Sequence, residues 1–294
     1  MAEADIPVDL FNPGQVFACL GFLEAADILL GDAEGGFDWS NEDDVRFRLR
    51  AGGEFNPFKA VLDFLKDTEI IVLAPKGVDG PWPDNSRLSS SFPASPKVLK
   101  KSDGKGYSTT TLPIILRGKD RCIPVSHWMK RGNMETLKLF AGQQIAYVLM
   151  QNMFFGDSKR KESKGIMAIN DNTTLFRDPF SVICPVSGRF GFDARGGWDS
   201  MRIGTSLDKL SISVSISPYV EILAPVGLEN ACPIFYTNYN IGYASWSTML
   251  PIVLCRIAIF NPSSILSRHE FRSFSAHLGD DKQYKKIFFS KEED

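Results

Sequence analysis

The first 75 residues carry a regular alternation of strand and helix patterns, which constrains the fold more than any other feature of the chain. Two amphipathic stretches begin at Asn12-Pro13 and Asn56-Pro57, where the asparagine can cap a helix and the proline suits its first turn. The predicted order is strand, helix, strand, strand, helix, strand. This is the order of the ferredoxin-like (split βαβ) arrangement, which RNA-recognition modules also use, and it predicts such a module over residues 1–76. The strand patterns are Ile6 to Leu10, Phe37 to Trp39, Val45 to Arg50 and Glu69 to Ala74.

A larger α+β region is predicted after a linker. Residues 77–111 are rich in Pro, Gly, Ser and Lys and predict a loop or linker. Strand patterns, a third helix over about 134–153 and a short helix at 218–228 follow within a basic region at 112–279. Residues 280–294 predict a polar tail. We therefore expect an α+β protein. The aromatic signature of the usual RNA-recognition module is absent, so the ferredoxin-like prediction rests on element order alone.

Charge is divided unevenly along the chain, although the net charge is only −2. Residues 1–70 hold 15 Asp and Glu against 5 Lys and Arg, a net charge of −10. Residues 97–209 hold 19 Lys and Arg against 10 Asp and Glu, a net charge of +9. Such a chain can bind a phosphate backbone through one part and keep another part away from it. The simpler interpretation is that two solvated faces differ in charge.

Cysteine spacing and hydropathy predict a cytoplasmic protein with no membrane partner. No two of the 5 cysteines fall within four residues of each other, so the spacing of a zinc ribbon or a redox motif is absent. An odd count without a signal-peptide pattern favours the cytoplasm. The apolar run 249–260 is too short to span a bilayer and contains Arg256.

Candidate catalytic groups are few. None of the 3 histidines has a metal-binding partner at helical spacing, and no phosphate-binding Gly-rich loop or nucleophile elbow is present. His127 could act as the general base of an RNA-cleaving site, with Lys130 or Arg131 steadying a phosphate. The residue pattern nevertheless favours a non-catalytic binding protein with no metal or cofactor.

Basic residues interleaved with aromatic ones indicate nucleic-acid binding. Arg46, Arg48 and Arg50 alternate with apolar residues and so share one strand face, where they could bind phosphate or merely balance nearby acids. Segment 117–138 mixes cations with aromatic side chains, as a nucleic-acid groove does, and a Gly-rich segment near residue 195 repeats the mixture. Either of two adjacent glutamines could read a base edge. The candidate nucleic-acid-binding residues are Arg46, Arg48, Arg50, Lys100, Lys101, Arg117, Lys119, Arg121, His127, Trp128, Lys130, Arg131, Lys138, Gln143, Gln144, Arg189, Arg195, Trp198 and Arg202.

Five stretches of the chain form a characteristic set. They are NPGQVFACLGFLE at 12–24, LKLFAGQQ at 137–144, FGFDARGGW at 190–198, EILAPVGL at 221–228 and YASWSTMLP at 243–251. Together they resemble one family of CRISPR-associated proteins, the one that takes the large-subunit (Cas-eight type) place in the type I-U, now I-G, Cascade complex. The resemblance extends from about residue 6 to 251, and this chain is shorter than typical large subunits.

The resemblance implies a subunit of an RNA-guided surveillance complex. Its partners would be a CRISPR guide RNA, target double-stranded DNA, the backbone and guide-end Cascade subunits, and a recruited nuclease-helicase. The large-subunit place lies at the 5′ end of the guide, where the flanking motif in the DNA is recognised. Two alternatives remain at this point: a metal-independent, guide-processing endoribonuclease that uses His127, and a purely structural protein-interaction subunit.

Overall fold

The computed structural model describes residues 1–74, 78–88, 109–129, 137–169, 172–197, 214–231, 234–237, 239–281 and 284–293, and shows a mixed α+β protein. Six predicted site residues lie outside these ranges: Lys100, Lys101, Lys130, Arg131, Trp198 and Arg202. The α-helices of the described residues are α1 (Pro13–Leu30), α2 (Pro57–Lys66), α3 (Ala146–Phe155), α4 (Asn172–Arg177), α5 (Pro218–Gly227) and α6 (Ile252–Ala258).

The strands form several sheets. They are β1 (Ala2–Pro7), β2 (Glu34–Asp38), β3 (Arg46–Ala51), β4 (Glu69–Leu73), β5 (Arg87–Leu88), β6 (Ile114–Arg117), β7 (Cys122–Val125), β8 (Cys184–Pro185), β9 (Ser215–Ile216), β10 (Ile234–Thr237), β11 (Asn240–Trp246), β12 (Leu250–Pro251), β13 (Phe271–Asp281), β14 (Tyr284–Ile287) and β15 (Lys291–Glu293). The sheet orders are β1-β3-β2-β12, β5-β4-β6-β7, β10-β11-β13-β14 with β15 also on β13, and the pair β8-β9.

The predicted element order of the N-terminal part is confirmed. Both Asn-Pro pairs begin helices, and Asn56 caps α2 by accepting a hydrogen bond from the Lys59 backbone at 3.1 Å. Helix α1 ends at Gly31, which has a φ of 80°. The strand order β1-β3-β2 is antiparallel, whereas β4 pairs with β6 and β5 in the second sheet. Strand β12, near residue 250, completes the first sheet by pairing with β2.

Helices α1 and α5 pack with their backbones in contact because glycines lie where they meet. A Cβ on Gly21 would lie 2.0 Å from the Leu223 carbonyl oxygen, and one on Gly227 would lie 2.3 Å from the Phe17 carbonyl oxygen. Among the described residues, only α1 has the length and hydropathy of a membrane span, but 78% of it is buried within the protein. Because the core helix of a soluble protein passes the same test, this is weak evidence for a span.

Two predictions about secondary structure are wrong. The third helix begins at Ala146, and residues 137–145 before it form no helix. The segment 280–294 is no tail, because β14 and β15 within it pair with β13. One cluster of buried apolar side chains extends from Ile6 to Ile287, so the N-terminal part shares its core with the rest of the chain.

Candidate nucleic-acid interface

The three arginines of β3 share one face, as the alternation predicts, but they are paired with acids. Arg46 Nε donates to Asp5 at 2.6 Å, Arg48 to Glu3 at 2.7 Å and Arg50 to Glu3 at 2.9 Å. The hydrogen bonds from Arg48 and then Arg50 lower the pKa of the Glu3 carboxyl. Most of these acids lie on the neighbouring strands, and Asp44 of the loop before β3 also pairs with Arg46, at 3.2 Å. The face is therefore neutralised from within, and a phosphate would have to displace the carboxylates.

The Gly-rich segment near residue 195 forms part of a buried polar cluster. Arg195 Nε donates to Asp193 at 2.9 Å, and its Nη1 donates to the Phe180 carbonyl oxygen at 2.9 Å. Arg189 donates to the Gly196 carbonyl oxygen at 2.7 Å. These bonds hold both guanidinium groups within the fold, so neither is a free phosphate ligand here.

The same cluster explains Asn12 and Glu221. Asn12 does not cap α1 through its side chain. Its amide instead donates to Asp193 at 2.9 Å and accepts from the Ala194 backbone at 3.2 Å. Glu221 is fully buried, and its carboxylate accepts hydrogen bonds from the backbone N–H groups of residues 191–193 at 2.8 to 2.9 Å. Burial raises the pKa of Glu221.

Two aromatic residues predicted to meet bases, His127 and Trp128, lie in the core. Trp128 is 2% exposed, and its ring stacks on Phe190 with 5.4 Å between centroids. Its indole N–H donates to the Thr111 carbonyl oxygen at 3.2 Å. His127 is also buried, with its ring 5.5 Å from that of Phe192. Because both rings pack against protein, neither offers a free face to a base in this structure.

Lys138 and the glutamine pair precede α3 rather than lying on a helix. Lys138 Nζ donates to the Phe140 carbonyl oxygen at 2.7 Å and lies over the Phe140 ring, and burial lowers the pKa of its ammonium group. Gln144 accepts a hydrogen bond from the Ala141 backbone at 3.1 Å. Gln143 is exposed. Of these residues, only Gln143 combines exposure with a polar group at the surface.

Six exposed cations lie in two other segments. Lys119 and Arg121 lie on the turn between β6 and β7, beside Arg117, whose guanidinium pairs with Glu69 at 2.6 Å. The loop after α3 holds four more. None of these six forms a salt bridge with a carboxylate in the described part of the chain. We call Lys119 and Arg121 the turn cations, and the loop cations are Lys159, Arg160, Lys161 and Lys164.

Hydrogen bonds at its base fix the loop that carries the loop cations. Gly156 ends α3 with a φ of 78°, and a Cβ there would lie 2.5 Å from the Ser163 carbonyl oxygen, so the turn requires glycine. Asp157 accepts from the Ser187 hydroxyl at 2.6 Å and from the Lys159 backbone at 2.9 Å. These bonds, the Ser187 bond first, lower the pKa of Asp157. The cations therefore project from a pre-formed loop.

A groove of about 660 Å³ is lined by Arg117, the residue before the turn cations, and by Phe155, the residue at the end of α3, and we call it the α3 groove. The turn cations follow the lining residue Arg117 by two and four positions, at most about 14 Å of chain, and the loop cations follow the lining residue Phe155 by four to nine positions, at most about 32 Å of chain. Phe155, the last residue of α3, is 55% exposed. The residues that line the α3 groove include Glu69, Arg117, Pro83, Tyr147, Gln151 and Phe155.

A second cavity, of about 650 Å³, has a net negative lining. Its excess of carboxylates would repel a phosphate backbone, so it does not compete with the α3 groove as a nucleic-acid site. Its charged lining residues are Asp9, Glu42, Asp43, Asp44, Asp178, Arg195 and Arg272.

Sequence reasoning found Arg117 and the turn cations but missed Tyr147, Gln151, Phe155 and the loop cations as site residues. A signal was present, because Phe155 stands four residues before a run of three cations, and a ring next to phosphate-binding charge is typical of single-strand binding. Burial decides which of two similar aromatic and basic mixtures reaches the surface. Comparison with protein-family models, with curated proteins and with solved structures finds no match for the chain.

Proposed function

We propose that the protein is a non-catalytic subunit of a CRISPR type I RNA-guided surveillance (Cascade) complex, where it binds guide RNA and target DNA through the α3 groove and the turn and loop cations. The observation that carries nucleic-acid binding is the set of six exposed cations without salt bridges in the segments that follow two lining residues, Arg117 and Phe155, of a groove with an exposed aromatic ring. Membership of a Cascade complex, and a place at the 5′ end of the guide near the flanking motif, rest on the resemblance of the five sequence stretches.

The energetics favour this surface over the arginine face of β3. A free surface cation that contacts phosphate releases a counterion, whereas each β3 arginine must first give up a carboxylate 2.6 to 2.9 Å away. Six such contacts would give a slope of log affinity against log salt of about −4 for a single strand and about −5 for duplex DNA. Binding should therefore be strong at low salt and fall steeply with ionic strength.

The ferredoxin-like relation of the N-terminal part belongs to the same proposal. It is supported by the confirmed element order and by the antiparallel order β1-β3-β2, the order a split βαβ gives its first three strands. The pairing of β4 with β6, rather than with β1, joins this part to the sheet that carries Arg117. The acidic N-terminal part would face the protein partners, including the backbone and guide-end subunits and the recruited nuclease-helicase.

No observation favours the ribonuclease alternative, since His127 lies in the aromatic core and does not line the α3 groove. The structural-subunit alternative differs from the proposal in a measurable way, because it predicts that charge on the loop after α3 has no effect on nucleic-acid binding.

The test is a matched pair of charge reversals. Lys159→Glu/Lys161→Glu changes the loop after α3, and Lys285→Glu/Lys291→Glu makes the same change of net charge on exposed residues of β14 and β15. The protein would be purified with its natural partners, the bound RNA analysed, and DNA affinity measured at several salt concentrations. We expect the first variant to bind weakly with a salt slope smaller by about 2, and the second to bind like wild type.

Equal affinities and slopes for the wild type and Lys159→Glu/Lys161→Glu would contradict nucleic-acid binding at this surface. Purification without a guide-length RNA and without a multi-copy backbone subunit would contradict membership of a Cascade complex, whatever the affinity for DNA.

A further inference from the structure

We propose that the α3 groove accepts one unpaired nucleotide, with its base stacked on Phe155 and its edge against the Gln151 amide, so that the interface selects single-stranded over duplex nucleic acid. This inference rests on the proposed function and names the ligand of the same site. The groove volume of about 660 Å³ falls within the range of about 300–1,000 Å³ found for small-ligand pockets.

Phe155 supplies the stacking surface. It is the last residue of α3, 55% exposed, and its one ring contact in the described part of the chain is with Phe154, at 6.1 Å between centroids. The left-handed Gly156 ends the helix directly behind it. A ring held at a fixed helix end loses little freedom when a base covers it, and every base has a face that can stack.

Gln151 supplies the polar contact. Tyr147 is fixed by burial and by an edge-on contact with Trp82, with 6.2 Å between ring centroids. Gln151 donates to the Tyr147 hydroxyl at 3.0 Å, and the same hydroxyl lies 3.3 Å from the Ser86 hydroxyl. The other end of the Gln151 amide has no partner among the described residues. A side-chain amide held at one end in this way can hydrogen-bond a base edge.

The surroundings favour a nucleotide over a neutral ligand. Pro81 and Pro83 give the groove apolar surface, and Arg117 lies at its margin with its guanidinium steadied by Glu69. The turn cations and the loop cations follow the lining residues Arg117 and Phe155 in the chain, and their charge suits the phosphates next to the bound base. In a duplex the base faces are already stacked, so Phe155 would contribute nothing to duplex binding. A proline-rich or acidic peptide is the competing occupant, and the test includes it.

The test compares Phe155→Ala with Phe289→Ala, a matched control on a ring that is 50% exposed in the segment between β14 and β15. Fluorescence anisotropy with the full chain would measure affinity for an oligonucleotide as a single strand and as a duplex. We expect Phe155→Ala to weaken single-strand binding about 5- to 150-fold, as stacking on one ring does, and duplex binding less than twofold. Phe155→Trp should retain single-strand binding, and Gln151→Leu should change the relative affinities for the four homopolymers.

Each outcome decides something. If the charge-reversal variant Lys159→Glu/Lys161→Glu binds weakly but Phe155→Ala binds like wild type, the stacking inference fails and the proposed function stands. Equal losses for single strand and duplex in Phe155→Ala would also overturn the inference. If a proline-rich or acidic peptide displaces the oligonucleotide from the wild type but not from Phe155→Ala, the groove is a peptide site. If neither change affects nucleic-acid binding, both proposals fail together.

Discussion

Gly21→Ala tests the closest contact in the core. Gly21 lies in the interior of α1, where alanine is normally favoured over glycine by about 1 kcal/mol. Here an added Cβ would lie 2.0 Å from the Leu223 carbonyl oxygen and 2.7 Å from the Leu223 carbonyl carbon. Both atoms are backbone of α5, so no side-chain rotation relieves the contact. Helices α1 and α5 would have to separate.

The magnitude follows from how far they must separate. An ordinary carbon–oxygen contact needs more than 3 Å, so the helices must move apart by about 1 Å, and a gap of that size removes a quarter to a half of the dispersion energy across the interface. Overpacking of a core costs about 1–3 kcal/mol, occasionally more, and both helices are buried almost throughout. Because the contact is between two backbones, we expect a gross cost above this range, about 4 kcal/mol. The gain in helix propensity of about 1 kcal/mol leaves a net loss of about 3 kcal/mol, out of a typical total of about 5–15 kcal/mol.

The assay is urea and thermal unfolding followed by circular dichroism. The expected decrease in Tm is about 5–10 °C for a chain of this size. Gly142→Ala is the control, since a Cβ there meets nothing within 4 Å, and we expect its unfolding free energy to change by less than about 0.5 kcal/mol. An unchanged or higher stability of Gly21→Ala would refute the backbone contact between α1 and α5, and with it the placement of the buried core around them.

Two further predictions concern charged groups. Glu69→Gln removes the carboxylate that pairs with Arg117 at 2.6 Å. The affinity for nucleic acid, measured by filter binding, should therefore rise by up to about fivefold. An unchanged or lower affinity would show that Arg117 does not contact phosphate. Burial raises the pKa of the Glu221 carboxyl above its ordinary value of 4.5. The folded chain therefore holds this proton more tightly than the unfolded chain does. The stability that this proton contributes is present below pH 4.5 and is lost as the pH rises through the pKa of the folded state. Urea denaturation at several pH values would measure the free energy of unfolding of the wild type and of Glu221→Gln. Above about pH 4.5 the wild type should lose stability relative to the variant, by up to about 1.4 kcal/mol per pH unit. A difference that does not depend on pH would mean that the pKa is not raised.

Three of the five stretches that carry the family resemblance meet at one buried place. The stretch from Asn12 begins α1, and the side-chain amide of Asn12 donates a hydrogen bond to Asp193 in the second stretch. Glu221 on α5, in the third stretch, accepts a hydrogen bond from the backbone N–H of Asp193. The glycines of α1 and α5 allow the close approach that brings these groups together. The residues that these three stretches contribute at this place therefore specify packing, and the proposed binding residues Phe155 and Gln151 lie outside all five stretches.

Local chemistry determined the elements that the sequence predicted correctly. Proline in the first turn begins α1 and α2, the Asn56 side chain caps α2, and Gly31 ends α1. Alternation in β3 places its three arginines on one face. Each of these effects acts within a few residues of chain. The helix predicted over 134–153 failed where residues 137–145 contribute apolar side chains such as Leu137 and Phe140 to the core without forming a helix.

Only the tertiary structure decided which side chains are available to a ligand. Trp128 and Phe155 both stand near cations in the sequence, yet the first stacks on Phe190 in the core and the second lies exposed at the groove. The partner of β4, the acids that neutralise the β3 arginines and the pairing of the last strands with β13 are likewise contacts between distant segments. The pattern of a segment reports its own periodicity, whereas burial and pairing depend on what the rest of the chain packs against it.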